Sequence, residues 1–170
     1  MISGAVLAVI LALLIRWIVH SWFLFPMNIP DNSMAPATDI NLRASEVVYV
    51  HRQFDKEDLK PGAVVVLRHP QNENIRMIRR IVAGPGQIVS IQDGALIVNG
   101  NRVRAPYQEV ALQNLLSKRS IIAGSAWDEQ APLTLVNSQY YVLADDRFGG
   151  VDSRFFGPVP AKDIQGIINP

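Results

Sequence analysis

The 170-residue chain contains no cysteine. It therefore has no disulfide and no thiolate metal site, although this alone leaves its redox compartment open. Charge is sparse: Asp, Glu, Lys and Arg make up 18% of the residues, against about a quarter in ordinary soluble domains. The 16 basic and 15 acidic side chains nearly cancel, at a net charge of +1, so the chain carries no electrostatic footprint for nucleic acid. The three histidines, His20, His51 and His69, share no ligand-like spacing, and neither a metal nor another cofactor is expected. No basic residue precedes the first apolar run, and no small-x-small site follows it closely. Both absences disfavour a cleavable secretory signal.

Nearly half of the residues, 49%, are apolar, and the excess lies at the front. Ile2 to Phe25 is interrupted only by Ser3, Gly4, Arg16, His20 and Ser21. As a helix this stretch rises roughly 36 Å, enough to cross a hydrocarbon core of about 30 Å. Arg16 lies two-thirds along, just ahead of the interfacial aromatics Trp17 and Trp22, where a long cation reaches the headgroups. Pro26 and Pro30 are expected to stop the helix. Residues 1–25 therefore read as one uncleaved transmembrane anchor, with the lipid membrane as a partner. The positive-inside rule does not orient it, because the short N-terminus offers only its amine.

From Glu46 onward the pattern changes to short β-rich runs. Val47–Val50, Ala63–Leu67, Ile75–Val82, Gln87–Ile91, Ala95–Val98 and Gln139–Leu143 read as strands. Asp93-Gly94 and Asn99-Gly100-Asn101 mark tight turns. Gln108–Lys118 suggests a short helix, and Gly124–Pro132 reads as a loop. Without a repeat or second domain, residues 26–170 are expected to form one mainly β, antiparallel domain.

Four blocks follow one another in an informative order. Ser33-Met34-Ala35-Pro36 comes just after the apolar run. Pro61-Gly62-Ala63-Val64-Val65-Val66-Leu67 leads to Arg68-His69-Pro70. Met77-Ile78-Arg79-Arg80-Ile81-Val82-Ala83-Gly84-Pro85-Gly86 is a strand entering a turn. Ala144-Asp145-Asp146-Arg147 precedes Val151-Asp152-Ser153-Arg154-Phe155-Phe156-Gly157. Together they resemble the bacterial type I signal peptidases, serine endopeptidases with a neutral lysine base. The resemblance covers roughly Leu11 to Ile168. It implies a signal-peptidase type of β domain on the extracytoplasmic face of the cell membrane, with exported preproteins or their signal peptides as substrates.

On this resemblance Ser33 takes the nucleophile position, and Arg79 falls where the catalytic lysine stands. Met34, Pro36, Arg80, Asp145, Arg147, Asp152, Ser153 and Arg154 become scaffold of the site. The family serine that orients the lysine falls on Gly150, and Ala63 replaces an aspartate. A base for a serine must be neutral near working pH. Lysine achieves this when buried, whereas arginine stays protonated up to a pKa of about 12 or more. Arg79 can hydrogen-bond Ser33 without accepting its proton, or it can pair with a carboxylate such as Asp152. Asp31 places a carboxylate beside the oxyanion position, where it opposes developing negative charge. His51 and His69 are the substitute bases to consider; Lys56, Lys60, Lys118 and Lys162 lie on polar stretches.

Two functions follow. One is a membrane serine endopeptidase that removes signal peptides. The other is a catalytically impaired or inactive homologue that binds exported proteins and assists their assembly at the cell surface. A purely structural anchor explains none of the four blocks.

Overall fold

The structure, a computed structural model, describes residues 4–35, 42–104, 112, 113, 125 and 128–168, with only the backbone described at 19–22. Helix α1 spans Gly4–Phe23. Its large apolar side chains from Val6 to Ile18 are between 45% and 67% exposed. Among the described residues no helix is long and apolar enough to cross a membrane, so the spanning helix expected over residues 1–25 is matched only by an N-terminal helix. Pro26 is not its stop. The helix ends at Phe23, and Pro26 lies inside strand β1, Leu24–Asn28. A proline fits there because β1 is an edge strand, with β2 as its neighbour.

The remaining strands are β2 (Val47–His51), β3 (Val64–His69), β4 (Asn72–Ala83), β5 (Ile88–Gln92), β6 (Ala95–Val98), β7 (Asn101–Arg102), β8 (Gln130–Thr134), β9 (Gln139–Leu143), β10 (Val159–Pro160) and β11 (Ile164–Ile168). A short helix α2, Ser153–Phe156, sits between β9 and β10. Seven strands pair in the order β1-β2-β11-β3-β4-β9-β10, and four more in the order β7-β6-β5-β8. Every strand pairing is antiparallel.

The turn signals act as expected. Asp93 (φ 50°) and Gly94 (φ 73°) link β5 to β6, and Asn99 (φ 52°) and Gly100 (φ 78°) link β6 to β7. Two successive positive φ values match the strand twist of a two-residue hairpin, which explains the Asp-Gly and Asn-Gly pairs. The expected loop at 124–132 is corrected at its end: Gln130–Thr134 is a strand on β5. Pro132 is tolerated because β8 is the sheet edge. The helix expected at 108–118 lies outside the described residues, apart from 112 and 113.

The core surrounds β4, which is buried without a break from Met77 to Ala83. Met77 and Ile81 pack with Val65, Leu67 and Val142. Ile78 packs with Met34, Val50, Val64 and Val66. Val82 and Ala83 pack with Tyr141 of β9 and with Val89 and Leu96 of the second sheet. A strand covered on both faces has no solvent side, and this makes its two consecutive arginines exceptional.

Candidate active site

Arg79 is only 2% exposed and Arg80 is fully buried. Successive strand residues point to opposite faces, so the two guanidiniums reach different partners. Arg80 forks onto Asp145, with Nε 3.0 Å from Oδ1 and Nη2 2.7 Å from Oδ2, and its Nη1 donates to the Gly62 carbonyl at 2.9 Å. This is the closed, hydrogen-bonded geometry that a buried ion pair requires.

Arg79 turns to the serine. Its Nη1 donates to Ser33 Oγ at 2.7 Å and to the Ile78 carbonyl at 2.6 Å, and its Nε donates to the Val151 carbonyl at 2.9 Å. The alternative pairing with Asp152 does not occur. Asp152 is taken by Arg154, with Nε at 2.8 Å from Oδ1 and Nη2 at 2.6 Å from Oδ2, and it accepts the Ala144 N–H at 2.9 Å. Burial lowers the Arg79 pKa, while the charges of Asp31 and Asp152 raise it in part. A guanidinium remains a cation at neutral pH despite this burial.

Ser33 is itself only 6% exposed. It lies in the turn after β1, with Met34 buried beneath it against Ile78. Its carbonyl accepts the Asp146 N–H at 2.8 Å, which ties the turn to the 144–151 loop. Its own N–H donates to Asp31 Oδ1 at 2.8 Å. Ser33 is thus bracketed by a carboxylate on its amide and a guanidinium on its hydroxyl. A nucleophile's own amide is a common oxyanion donor, and here a negative group already occupies it.

The 144–154 segment closes the site. Val142 N–H donates to Ser153 Oγ at 2.9 Å, and Asp152 caps α2 by accepting the Arg154 N–H at 3.1 Å. Arg147 is buried, 4% exposed. Gly150 stands against the serine. A Cβ placed on it would lie 3.5 Å from Ser33 Cβ but 2.1 Å from Ala144 Cβ. The methyl of Ala144 therefore occupies the space that a side chain at 150 needs. In the sequence Gly150 stands out as the position of the missing hydroxyl, whereas the role of Ala144 is visible only in this packing.

Among the described residues, neither substitute base meets Ser33 by a hydrogen bond. His51 lies in β2 opposite Leu24 and Ile167. His69 uses Nδ1 to accept the Gln71 N–H at 3.0 Å and packs its ring edge-on to Phe156. Lys56, Lys60 and Lys162 are exposed, and Pro36 and Lys118 lie outside the described residues. No cluster of metal-ligating side chains occurs among the described residues.

Comparison with known proteins bears on family and fold. A sequence model of the family described as signal peptidase, peptidase S26, matches residues 2–169. Signal peptidase I T of Bacillus subtilis (strain 168) is 30% identical over 154 residues, 89% of this chain and 72% of that protein. Signal peptidase I P of Bacillus subtilis subsp. natto is 30% identical over 167 residues, 96% of this chain and 82% of that protein. The crystal structure of a signal peptidase I from Enterococcus faecalis V583 superimposes with a TM-score of 0.51 at 23% identity, over 65% of this chain and 96% of that one, a likeness of fold.

Proposed function

The chain belongs to the signal peptidase family, peptidase S26, and from that premise we propose that it engages the signal peptides of exported preproteins at Ser33 but cleaves them poorly. The observation that carries this reading is the 2.7 Å contact from Arg79 Nη1 to Ser33 Oγ. It holds the hydroxyl with a permanent cation, where acyl transfer needs a proton acceptor. The Asp31 carboxylate on the Ser33 amide works in the same direction, because it opposes the charge that develops on a substrate carbonyl oxygen.

Residues 1–25 form the membrane anchor in this proposal, and 26–170 form the extracytoplasmic domain. Support comes from the twenty residues of α1, about 30 Å of helix, whose large apolar side chains from Val6 to Ile18 are 45% to 67% exposed. Exposed apolar surface of that extent calls for a lipid or protein cover. Arg80–Asp145 and Arg154–Asp152, with Ser153, Arg147, Gly150 and Met34, are the scaffold that holds Ser33 and Arg79 together.

A second reading, a slow hydrolase, rests on the same contact. A guanidinium stabilises an alkoxide, and solvent hydroxide removes the Ser33 proton in place of a side-chain base. The test uses the full chain in neutral detergent with a preprotein carrying a type I signal peptide, followed by mass spectrometry. Stable binding with little or no product supports the proposal. Rapid processing near neutral pH that is lost in Ser33→Ala would overturn it.

A further inference from the structure

A second feature lies away from Ser33, where α1 meets the sheet. Arg52 N–H donates to the carbonyl of Phe23, the last residue of α1, at 2.9 Å. Phe25, two residues on, lies under two guanidiniums: Arg52 at 4.7 Å and Arg76 at 5.7 Å from the ring centroid. Arg76 is the direct cross-strand partner of Arg68. Lys162, Ile164 and Gln165 complete the lining of an open recess of about 350 Å³. The lining comes from β1, β11, β3 and β4, with Arg52 just past the end of β2 and Lys162 just before β11; these strands are grouped together in the sheet.

Its charge is out of balance. Arg68 and Arg76 face each other in register, a like-charge pair that opposes sheet formation. The acidic group near them is Glu73, 3.9 Å from Arg68 with its side chain 84% exposed, and such a pair contributes little. Four cations therefore converge on one depression. Two of them are held in place by stacking on Phe25 rather than left to wander in solvent. At the recess wall, Gln165 Oε1 is buried without a hydrogen-bond partner among the described residues. Half a turn of that amide presents its NH₂ at the same point.

We propose that this recess binds the phosphate of an anionic lipid headgroup. The proposal rests on the lipid anchoring of α1 given above. Position selects lipid over a free anion: the recess opens at the foot of an exposed apolar helix, along which acyl chains attached to a bound phosphate would lie. The guanidiniums supply forked donors suited to phosphate oxygens, and Lys162 adds a point charge. Binding there would set the height and tilt of the sheet relative to the headgroups, and Ser33 with it.

The experiment is native mass spectrometry of the full chain released from neutral-detergent micelles doped with equal phosphatidylglycerol and phosphatidylcholine. The unaltered chain is expected to retain phosphatidylglycerol over phosphatidylcholine by about tenfold or more. Arg68→Gln/Arg76→Gln, and separately the exposed pair Arg52→Gln/Lys162→Gln, should bring the ratio toward one. Equal retention by the unaltered chain overturns the proposal, as does a preference that survives in both variants. Inorganic phosphate at millimolar concentration is the second arm. If it displaces the phosphatidylglycerol, the recess is a site for free anions and the lipid assignment is wrong. Sedimentation of the chain with pure phosphatidylcholine vesicles tests the anchor alone, so failure of α1 to associate is distinguishable from failure of the recess.

Discussion

Ala144 and Gly150 compete for one space, and this can be measured. A Cβ on residue 150 would lie 2.1 Å from Ala144 Cβ, where carbon atoms prefer about 3.5–4.0 Å. Gly150→Ser alone therefore forces the 144–151 loop to move, at a cost of about 1–3 kcal/mol. For a chain of this size that lowers Tm by about 2–4 °C per kcal/mol. Ala144→Gly alone costs roughly 0.5–1 kcal/mol through backbone entropy. In the double variant the 2.1 Å clash is gone, and the nearest remaining neighbours are the Asp146 carbonyl at 3.2 Å and Ser33 Cβ at 3.5 Å. The double variant is thus expected to be more stable than Gly150→Ser, with a coupling of about 1–3 kcal/mol between the sites. Urea unfolding of the four proteins in neutral detergent gives the cycle. Additivity within about 0.5 kcal/mol refutes the shared-space argument. The same background carries the catalytic test: Arg79→Lys with Ala144→Gly and Gly150→Ser supplies a base and a hydroxyl to orient it. Preprotein cleavage should rise by about 10²–10⁴, more than with Arg79→Lys alone. No gain would mean that the missing base is not what limits this site.

Other outcomes follow from the same geometry. With Arg79→Lys in place, Asp31→Gly frees the Ser33 amide, and preprotein cleavage should rise by up to about 10²; an unchanged rate would show that the carboxylate swings aside for substrate. Asp145→Ala strips the buried Arg80 of its carboxylate and should cost about 3–5 kcal/mol in unfolding experiments, whereas a loss under 1 kcal/mol would show that water or another group replaces it. Burial raises the Tyr141 pKa above its ordinary value of 10.0, so the folded chain holds this proton where the unfolded chain has lost it. Stability from this group is complete below pH 10 and falls as pH rises further. Tyr141→Phe should flatten that alkaline decline, and an unaltered slope would assign it elsewhere. If solvent hydroxide activates Ser33, residual cleavage should climb about tenfold per pH unit through the neutral range, whereas a plateau with a midpoint near 6–7 would point to a histidine base.

Much of the fold can be read along the chain because its signals are local. β-branched runs and the Asp-Gly and Asn-Gly turns mark β2 to β6 and β9 within a few residues, since alternation and turn chemistry act between near neighbours. Strands β1, β8 and β11 carry weaker signals. Two contain prolines that only an edge position permits, and the third, Ile164–Ile168, has its partners about a hundred residues earlier. Edge and partner are properties of the assembled sheet, so no window of sequence reveals them.

The site divides in the same way. That position 79 holds a group unable to take up a proton follows from residue type alone, since a guanidinium is a cation in any fold. Whether that cation meets Ser33 or Asp152 was decided by packing. Arg154 lies two residues from Asp152 and holds it, which leaves Arg79 to donate to the hydroxyl across 46 residues of chain. The Asp31 contact on the Ser33 amide, the conflict between Ala144 and Gly150, and the basic recess below α1 are likewise facts of distance. Chemistry is carried by the side chain, but which groups stand within 3 Å of one another is set by how the sheet closes around β4.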